Sequence, residues 1–261
     1  MPLVTFEKWE GLGNDFVIVE ASEQAWLDSA TIRALCDRRR GVGGDGVLFV
    51  ERGGASSSRM TVFNADGSRP EMCGNGLRCV AAYLAPAQSS STLEILTDDG
   101  LKRCLVARSD DSANVVVEMG KAVIEAEQSF TFDGVSRSFL RVNTGNPHAV
   151  TFEPYDRATF ERVGPLVEQA IPGGANVELV SASPQGFDVV VWERGVGFTL
   201  ACGTGACAVA VAACHTERAA FGVPIKVTLP GGPLSITVER ETLAIRMRGP
   251  ARRVFRGVFS A

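Results

Sequence analysis

Short runs in which apolar and polar positions alternate dominate the chain, and they predict strands at Leu3–Trp9, Phe16–Glu20, Val47–Glu51 and Arg59–Asn64. Between the second and third of these, the spacing of Ala30–Arg39 predicts a helix. The glycines of Gly41-Val42-Gly43-Gly44-Asp45-Gly46 mark a loop that feeds the third strand, and Ala65-Asp66-Gly67-Ser68 marks a turn after the fourth. An Ala/Val-rich stretch, Leu77–Ala85, predicts the main helix, and Leu93–Thr97, Leu101–Arg108 and Asn114–Met119 then continue as a meander of strands. The first half thus predicts a sheet wrapped around one helix. The polar segment Ser109–Ala113 is too short for a linker, and Gly120–Ser129 is read as irregular chain crossing into the second half.

The second half repeats the plan. Phe139–Asn143 and Ala149–Glu153 predict strands on either side of Thr144-Gly145-Asn146-Pro147-His148, and Arg157–Ala170 predicts a helix ended by Pro172-Gly173-Gly174. Strands at Asn176–Ser181 and Asp188–Glu193 lead to a second Ala/Val-rich helix, Ala206–Cys214, and strands at Ile225–Leu229, Leu234–Glu239 and Leu243–Arg248 close the half. The boundary is expected near residue 119, giving lobes of 1–119 and 120–249.

Composition narrows the class. A chain of 261 residues, 45% hydrophobic and 21% charged, has enough apolar content for two cores and is neither disordered nor fibrous. The net charge of -4 arises from 26 basic and 30 acidic residues mixed along the chain, so no basic surface for nucleic acid is expected. No window approaches the roughly 18 apolar residues of a membrane span, and Met1–Glu10 lacks the pattern of a secretion signal, which gives a cytoplasmic expectation with no membrane partner. Seven cysteines, an odd number, point to reduced thiols. No Cys-x-x-Cys pair occurs and the two histidines, His148 and His215, stand in unrelated contexts, so no metal is expected. Cys36, Cys79, Cys104, Cys207 and Cys214 are read as small core residues.

The remaining two cysteines carry the chemistry. Met72-Cys73-Gly74-Asn75-Gly76 and Ala201-Cys202-Gly203-Thr204-Gly205 write the same Cys-Gly-X-Gly at the head of each Ala/Val-rich helix, 129 positions apart. A cysteine in a helix's first turn lies beside unpaired N–H groups and the positive end of the macrodipole, which favours its thiolate. The following Gly lets the backbone approach a ligand, and a substrate carboxylate gripped by both helix starts would hold an α-carbon between two sulfurs. That arrangement suits racemisation without a cofactor: one thiolate removes the α-proton and the opposite thiol returns one to the other face. Either motif alone reads equally well as a Gly-rich helix start with an inert Cys, but two copies in matching halves argue against that. Arg194, in Trp192-Glu193-Arg194-Gly195, offers a forked donor for a second carboxylate, with a solvated surface charge as the alternative. Asn14, Asn64, Asn146 and Asn176 sit in turn-rich loops at strand ends, where amides can bind a ligand or simply serve the turn.

These stretches resemble the diaminopimelate epimerase family. The resemblance is carried by Gly11-Leu12-Gly13-Asn14-Asp15-Phe16, Phe63-Asn64-Ala65-Asp66-Gly67-Ser68, Cys73-Gly74-Asn75-Gly76-Leu77-Arg78-Cys79, Gly145-Asn146-Pro147-His148, and Glu193-Arg194-Gly195 with Ala201-Cys202-Gly203-Thr204-Gly205-Ala206. It implies an isomerase that interconverts LL- and meso-diaminopimelate for lysine and peptidoglycan precursors, without pyridoxal phosphate or metal. It also implies an α+β fold of two pseudo-symmetric lobes, each a strongly curved, mostly antiparallel sheet around a central helix. The active site would lie in the cleft between them, residues from about 250 would return to the first lobe, and the chain would form a homodimer. Cys73 and Cys202 would be base and acid. Gly74, Asn75, Gly203 and Thr204 would bind the reacting carboxylate, Asn14, Asn64, Asn146, Asn176 and Arg194 the rest of the substrate, and His148 and Glu193 would tune the thiols, Glu193 also lining the substrate.

Three positions depart from the family pattern. Glu10 replaces a His, Gly46 stands where some members have a substrate-contacting Gln and others a Gly, and Phe198 replaces a Glu shortly before the second Cys. Substitution of a carboxylate by an apolar ring is expected to bear on loop packing, thiol acidity or substrate choice. Two alternatives stay open at this point: a cofactor-independent racemase for another amino acid, of histidine or proline type, and a non-catalytic relative that binds an amino acid or senses redox state through its two thiols.

Overall fold

The computed structural model describes residues 3–20, 28–53, 57–70, 72–132, 134–154 and 156–260. Along the chain run β1 (Leu3–Gly11), β2 (Asn14–Glu20), α1 (Ser29–Cys36), β3 (Gly46–Glu51), β4 (Ser58–Asn64), α2 (Gly74–Leu84), β5 (Ser89–Thr97), β6 (Gly100–Arg108) and β7 (Ser112–Lys121). There follow β8 (Val123–Phe132), β9 (Val135–Asn143), β10 (Pro147–Thr151), α3 (Arg157–Ala170), β11 (Asn176–Ser183), β12 (Gly186–Glu193), β13 (Gly197–Phe198), α4 (Gly203–His215), β14 (Ile225–Leu229), β15 (Gly232–Val238) and β16 (Ala244–Ser260). This α+β chain divides into two compact units, Met1–Val117 with Arg248–Ala261 and Glu118–Met247. No helix among the described residues is long and apolar enough to cross a membrane.

In the first unit the strands follow the order β1-β2-β3-β4-β5-β6-β7-β16, and β16 pairs back onto β1, so eight strands close into a barrel. Most neighbours are antiparallel, but β2–β3 and β4–β5 are parallel. A parallel pair cannot be joined by a tight turn and needs a crossover, and α1 and α2 are those crossovers. The helix α2 packs against β1, β2, β3, β4 and β6 and is buried from Gly74 through Ala82. Ile32 and Leu35 of α1 pack with Val17, Val19, Val47 and Phe49 in a second layer of core.

The second unit uses the same scheme. Its strands run β8-β9-β10-β11-β12-β14-β15, with β13 a stub on β12, and the parallel pairs β10–β11 and β12–β14 are again those bridged by helices, α3 and α4. From Gly205 to Cys214 every residue of α4 is buried and none is polar, as befits a helix enclosed on all sides. Phe160, Val163 and Val167 of α3 pack on Phe139, Ala149, Val177 and Leu179.

Several elements differ from the expectation. α1 stops at Cys36 rather than Arg39 because the Asp37 carboxylate accepts from the N–H groups of Arg39 (2.7 Å) and Arg40 (2.9 Å), a local turn that competes with the helix. Most of Gly120–Ser129 belongs to the strand β8, whose polar, largely exposed residues and register shift between Ile124 and Glu127 blur the alternation. The last strand is 17 residues long rather than six, and the alternation runs on past Arg248: Ile245, Met247, Gly249 and Ala251 are buried while Arg246, Arg248 and Pro250 between them are exposed.

Candidate active site

The turn between β1 and β2 is Leu12-Gly13, with φ of 59° and 79°, the left-handed pair whose twist suits a two-residue hairpin. Glu10 fastens it by accepting the Gly13 N–H at 3.0 Å and meeting Arg252 at 3.0 Å, so the carboxylate that replaces the family's His has a structural use here. The turn delivers Asn14 as the first residue of β2.

Cys73 is the N-cap of α2. Its sulfur accepts the Gly76 N–H at 3.4 Å and its carbonyl takes the Leu77 N–H at 2.8 Å. Asn14 faces it: the Asn14 Oδ1 accepts from the Cys73 thiol at 4.0 Å and from Asn75 Nδ2 at 3.2 Å, while Asn14 Nδ2 donates to Asp45 Oδ2 at 2.7 Å. Asp45 Oδ2 also accepts the Asp15 N–H at 3.0 Å, and Asp45 Oδ1 meets Arg38 at 2.7 Å. Arg38 reaches Asp15 at 2.6 Å, and Asp15 pairs with the buried Lys8 at 2.7 Å, which also donates to the Gly43 carbonyl. Burial pushes the Asp15 carboxyl upward, but Arg38 and Lys8 outweigh it and hold it at about 2.

Cys202 caps α4 in the same way, its sulfur accepting the Gly205 N–H at 3.3 Å and its carbonyl the Ala206 N–H at 3.0 Å. The Thr204 hydroxyl lies 3.5 Å from that sulfur. Here the expectation of a helix-lowered thiol fails: burial, reinforced by the carboxylates of Glu193 and Glu178, pushes Cys202 well above the ordinary thiol range, against the opposing pull of Thr204 and the Gly205 N–H. The helix start offers partial charges, whereas burial removes the solvent that a thiolate needs.

Beside this cap lies a pair that the sequence reading found only in half. His148 and Glu178, on the neighbouring strands β10 and β11 two register positions apart, are both fully buried, and His148 Nδ1 is hydrogen-bonded to Glu178 Oε1 at 2.6 Å. His148 Nε2 is hydrogen-bonded to Asn146 Oδ1 at 2.9 Å. Glu178 Oε2 has no hydrogen-bond partner among the described residues. A Cβ at Gly205 would stand 2.7 Å from Glu178 Oε1 and 3.2 Å from the Cys202 sulfur, so a side chain here would crowd both carboxylate and thiol. Asn176 braces a loop: its Nδ2 donates to the Pro147 carbonyl at 3.2 Å and its Oδ1 accepts the Arg194 N–H at 2.9 Å. Glu168 of α3 supports the same loop from below, accepting from Gly195 N–H at 2.9 Å and Trp192 Nε1 at 2.7 Å, and the Arg194 guanidinium donates to the Gly173 carbonyl at 2.9 Å. Glu193 accepts from the Thr199 hydroxyl at 2.5 Å.

The first unit therefore gathers Asn14, Cys73, Gly74 and Asn75, with the exposed Asn64 held by Ser68 at 2.9 Å at the end of β4. The second gathers Asn146 with His148, Asn176 with Arg194, and Glu193, Gly203 and Thr204 near Cys202. Phe198 is accounted for by packing: its ring lies 5.2 Å from Trp192 and 5.8 Å from Phe160, with Arg157 at 5.3 Å over its face. At Gly46 an added Cβ would collide with the Phe63 carbonyl, so this backbone has no room for a side chain at that position. Glu178, Glu168, Asp45 and Arg38 escaped the sequence reading. All seven cysteines are free thiols, and Cys36, Cys79, Cys104, Cys207 and Cys214 are buried as expected. Among the described residues no three His, Cys, Asp or Glu side chains gather as a metal site.

This fold and these motifs have relatives. The chain superposes on a crystal structure of a probable proline racemase from Agrobacterium radiobacter K84 with a TM-score of 0.77 at 13% identity, over 98% of this chain and 93% of that one, which establishes the shared fold. Its sequence is 44% identical over 273 residues to the diaminopimelate epimerase of Desulforudis audaxviator (strain MP104C), covering 97% of this chain and 98% of the relative. It is 40% identical over 278 residues to that of Desulfitobacterium hafniense (strain DSM 10664 / DCB-2), covering 96% of each. The family model for diaminopimelate epimerase matches residues 6–125 and 140–254. With nearly the whole length matched, the chain belongs to the diaminopimelate epimerase family, and it is an isomerase.

Proposed function

We propose that Cys73 and Cys202 exchange the α-proton of diaminopimelate between them, interconverting the LL and meso isomers in lysine biosynthesis and peptidoglycan precursor supply without a cofactor. The observation that carries this reading is the matched pair of helix caps, with sulfur-to-amide distances of 3.4 Å at Cys73 and 3.3 Å at Cys202. First-turn N–H groups at Gly74, Asn75, Gly203 and Thr204 bind the reacting carboxylate, where negative charge grows as the proton leaves. The Cys202 thiol, pushed upward by burial and by Glu193 and Glu178, holds its proton. In the direction where Cys73 is the base, its thiolate takes the α-proton, the electron pair passes into the carboxylate-stabilised carbanion, and the Cys202 S–H returns a proton to the opposite face. Each turnover leaves Cys73 protonated and Cys202 as thiolate, the starting state for the reverse reaction. Asn14, Asn64, Asn146, Asn176 and Arg194 hold the rest of the substrate, and His148 and Glu193 tune the thiols. A cytoplasmic homodimer goes with this reading, tested by cell fractionation and light scattering.

The test is deuterium entry. Reduced protein with LL-diaminopimelate in deuterated water is expected to form the meso isomer carrying deuterium at the α-carbon, and Cys73→Ala or Cys202→Ala to abolish this. Absence of exchange in the reduced wild type refutes the substrate, and full exchange in either variant refutes the two-thiol step.

A further inference from the structure

The Asn14 amide touches both the Cys73 sulfur and the Asn75 side chain, and its two ends have opposite chemistry: oxygen accepts, nitrogen donates. Which end faces the thiol is decided on its far side. Asp45 Oδ2 stands 2.7 Å from Asn14 Nδ2, and a carboxylate only accepts, so the nitrogen has to face it and the oxygen is turned to Cys73. Asp45 is itself held at both oxygens, by the Asp15 N–H at 3.0 Å and by Arg38 at 2.7 Å. Arg38 is in turn fixed by two contacts to Asp15, at 2.6 and 3.1 Å, and Asp15 by Lys8. The loop geometry leaves Asp45 little freedom, since its own N–H donates to the Asp15 carbonyl at 2.8 Å and its carbonyl accepts the Ala65 N–H at 3.0 Å.

We propose that Asp45 is a positioning residue of the active site, which locks the Asn14 amide with its oxygen toward Cys73 so that the protonated thiol, and not the thiolate, is held by a hydrogen bond. Arg38, Asp15 and Lys8 form the rigid backing of that lock. An Asn at position 45 could either accept or donate, which would free the Asn14 amide to turn its nitrogen to the sulfur and favour the thiolate instead. The inference rests on Cys73 being a proton carrier, but its consequence is read on the thiol itself and not on turnover.

The experiment measures the pH profile of iodoacetamide labelling at Cys73 by peptide mass spectrometry. Asp45→Asn is expected to move the midpoint down by about one pH unit, a tenfold rise in labelling rate below the midpoint. Loss of the Asp45 charge alone would also lower the midpoint, so the same substitution is made in an Asn14→Ala background. There the shift is expected to shrink to roughly a third or less, because no amide remains to be turned. Equal shifts in the two backgrounds, or no shift in the first, overturn the proposal. If Asp45→Asn does not fold, Asp45→Ser takes its place in both backgrounds, with the same expected difference. Failure of the deuterium exchange with diaminopimelate would leave this thiol measurement intact, so the two readings fail separately.

Discussion

The buried pair His148–Glu178 has a counterpart in the first unit that turns it into a quantitative prediction. In β2 and β3, Phe16 lies opposite Gly46, two positions before Leu48, just as His148 lies opposite Asn176, two positions before Glu178. Leu48 would stand 3.0 Å from a Cβ at Gly76, and Glu178 occupies the same place beside Gly205. One scaffold thus fills equivalent positions with Phe and Leu in one unit and with His and Glu in the other. His148→Phe removes the only hydrogen-bond partner described for the Glu178 carboxylate, whose Oε2 already has none among the described residues, and an uncompensated buried charge costs about 3–5 kcal/mol. Glu178→Leu leaves His148 Nδ1 without its acceptor at a cost of about 1–3 kcal/mol. The double substitution recreates the apolar pair of the first unit and is expected to fall within about 2 kcal/mol of wild type, a coupling of at least about 2 kcal/mol against the summed single losses. In urea denaturation followed by circular dichroism, with a slope of about 2 kcal/mol per M, His148→Phe should lower the midpoint by about 2 M and the second substitution should restore most of it. If the two single losses simply add, or if His148→Phe costs less than about 1 kcal/mol, the pair is not the energetic unit described here.

Asp15 predicts a pH dependence. Its carboxyl is held at about 2 in the folded chain against 3.8 for the free group, so the stability it contributes is present above about pH 4 and is lost as pH falls toward 2. Asp15→Asn should therefore unfold at lower urea than wild type at pH 6, with the gap narrowing between pH 4 and pH 2; a gap constant across that range refutes the assignment. At the second thiol, Glu193→Gln removes a like charge while keeping an acceptor for the Thr199 hydroxyl, so the iodoacetamide profile of Cys202 should move down by about one pH unit. An unchanged or raised profile would show that Glu193 does not set its acidity.

Much of this was legible in the sequence because it was written locally. The Cys-Gly-X-Gly starts, the Ala/Val-rich helices and the turn glycines each specify their own conformation, so the two caps and most strands followed from pattern. What escaped depends on partners distant in sequence. Asp45 reads as one polar residue in a glycine loop until β2 brings Asn14 beside it, 31 positions away. Glu178 did leave a signal, a lone carboxylate in the otherwise apolar run Val177-Glu178-Leu179-Val180, where a charge is tolerated only if another element supplies its partner. That partner, His148, was found by motif without its acid. The strand β8 was missed because its side chains are mostly exposed, so its hydrogen-bonded ladder left no apolar period to read.

The duplication also shows where the two halves had to diverge. Two helix caps with the same motif and nearly the same sulfur geometry would give two thiols of equal acidity if their surroundings matched, and a proton exchange needs one thiol loaded and the other empty. The surroundings do not match. Cys202 is buried and faces two carboxylates, Glu193 and Glu178, whereas Cys73 is half-buried and meets the neutral amide of Asn14, whose carboxylate neighbour lies one residue further away. Under the two-thiol proposal the symmetric part of the fold, the helix N–H groups, serves the carboxylate that both isomers share. In the same proposal the asymmetric part, built from β2 and β3 in one unit and β10 to β12 in the other, sets the acidity of each sulfur separately.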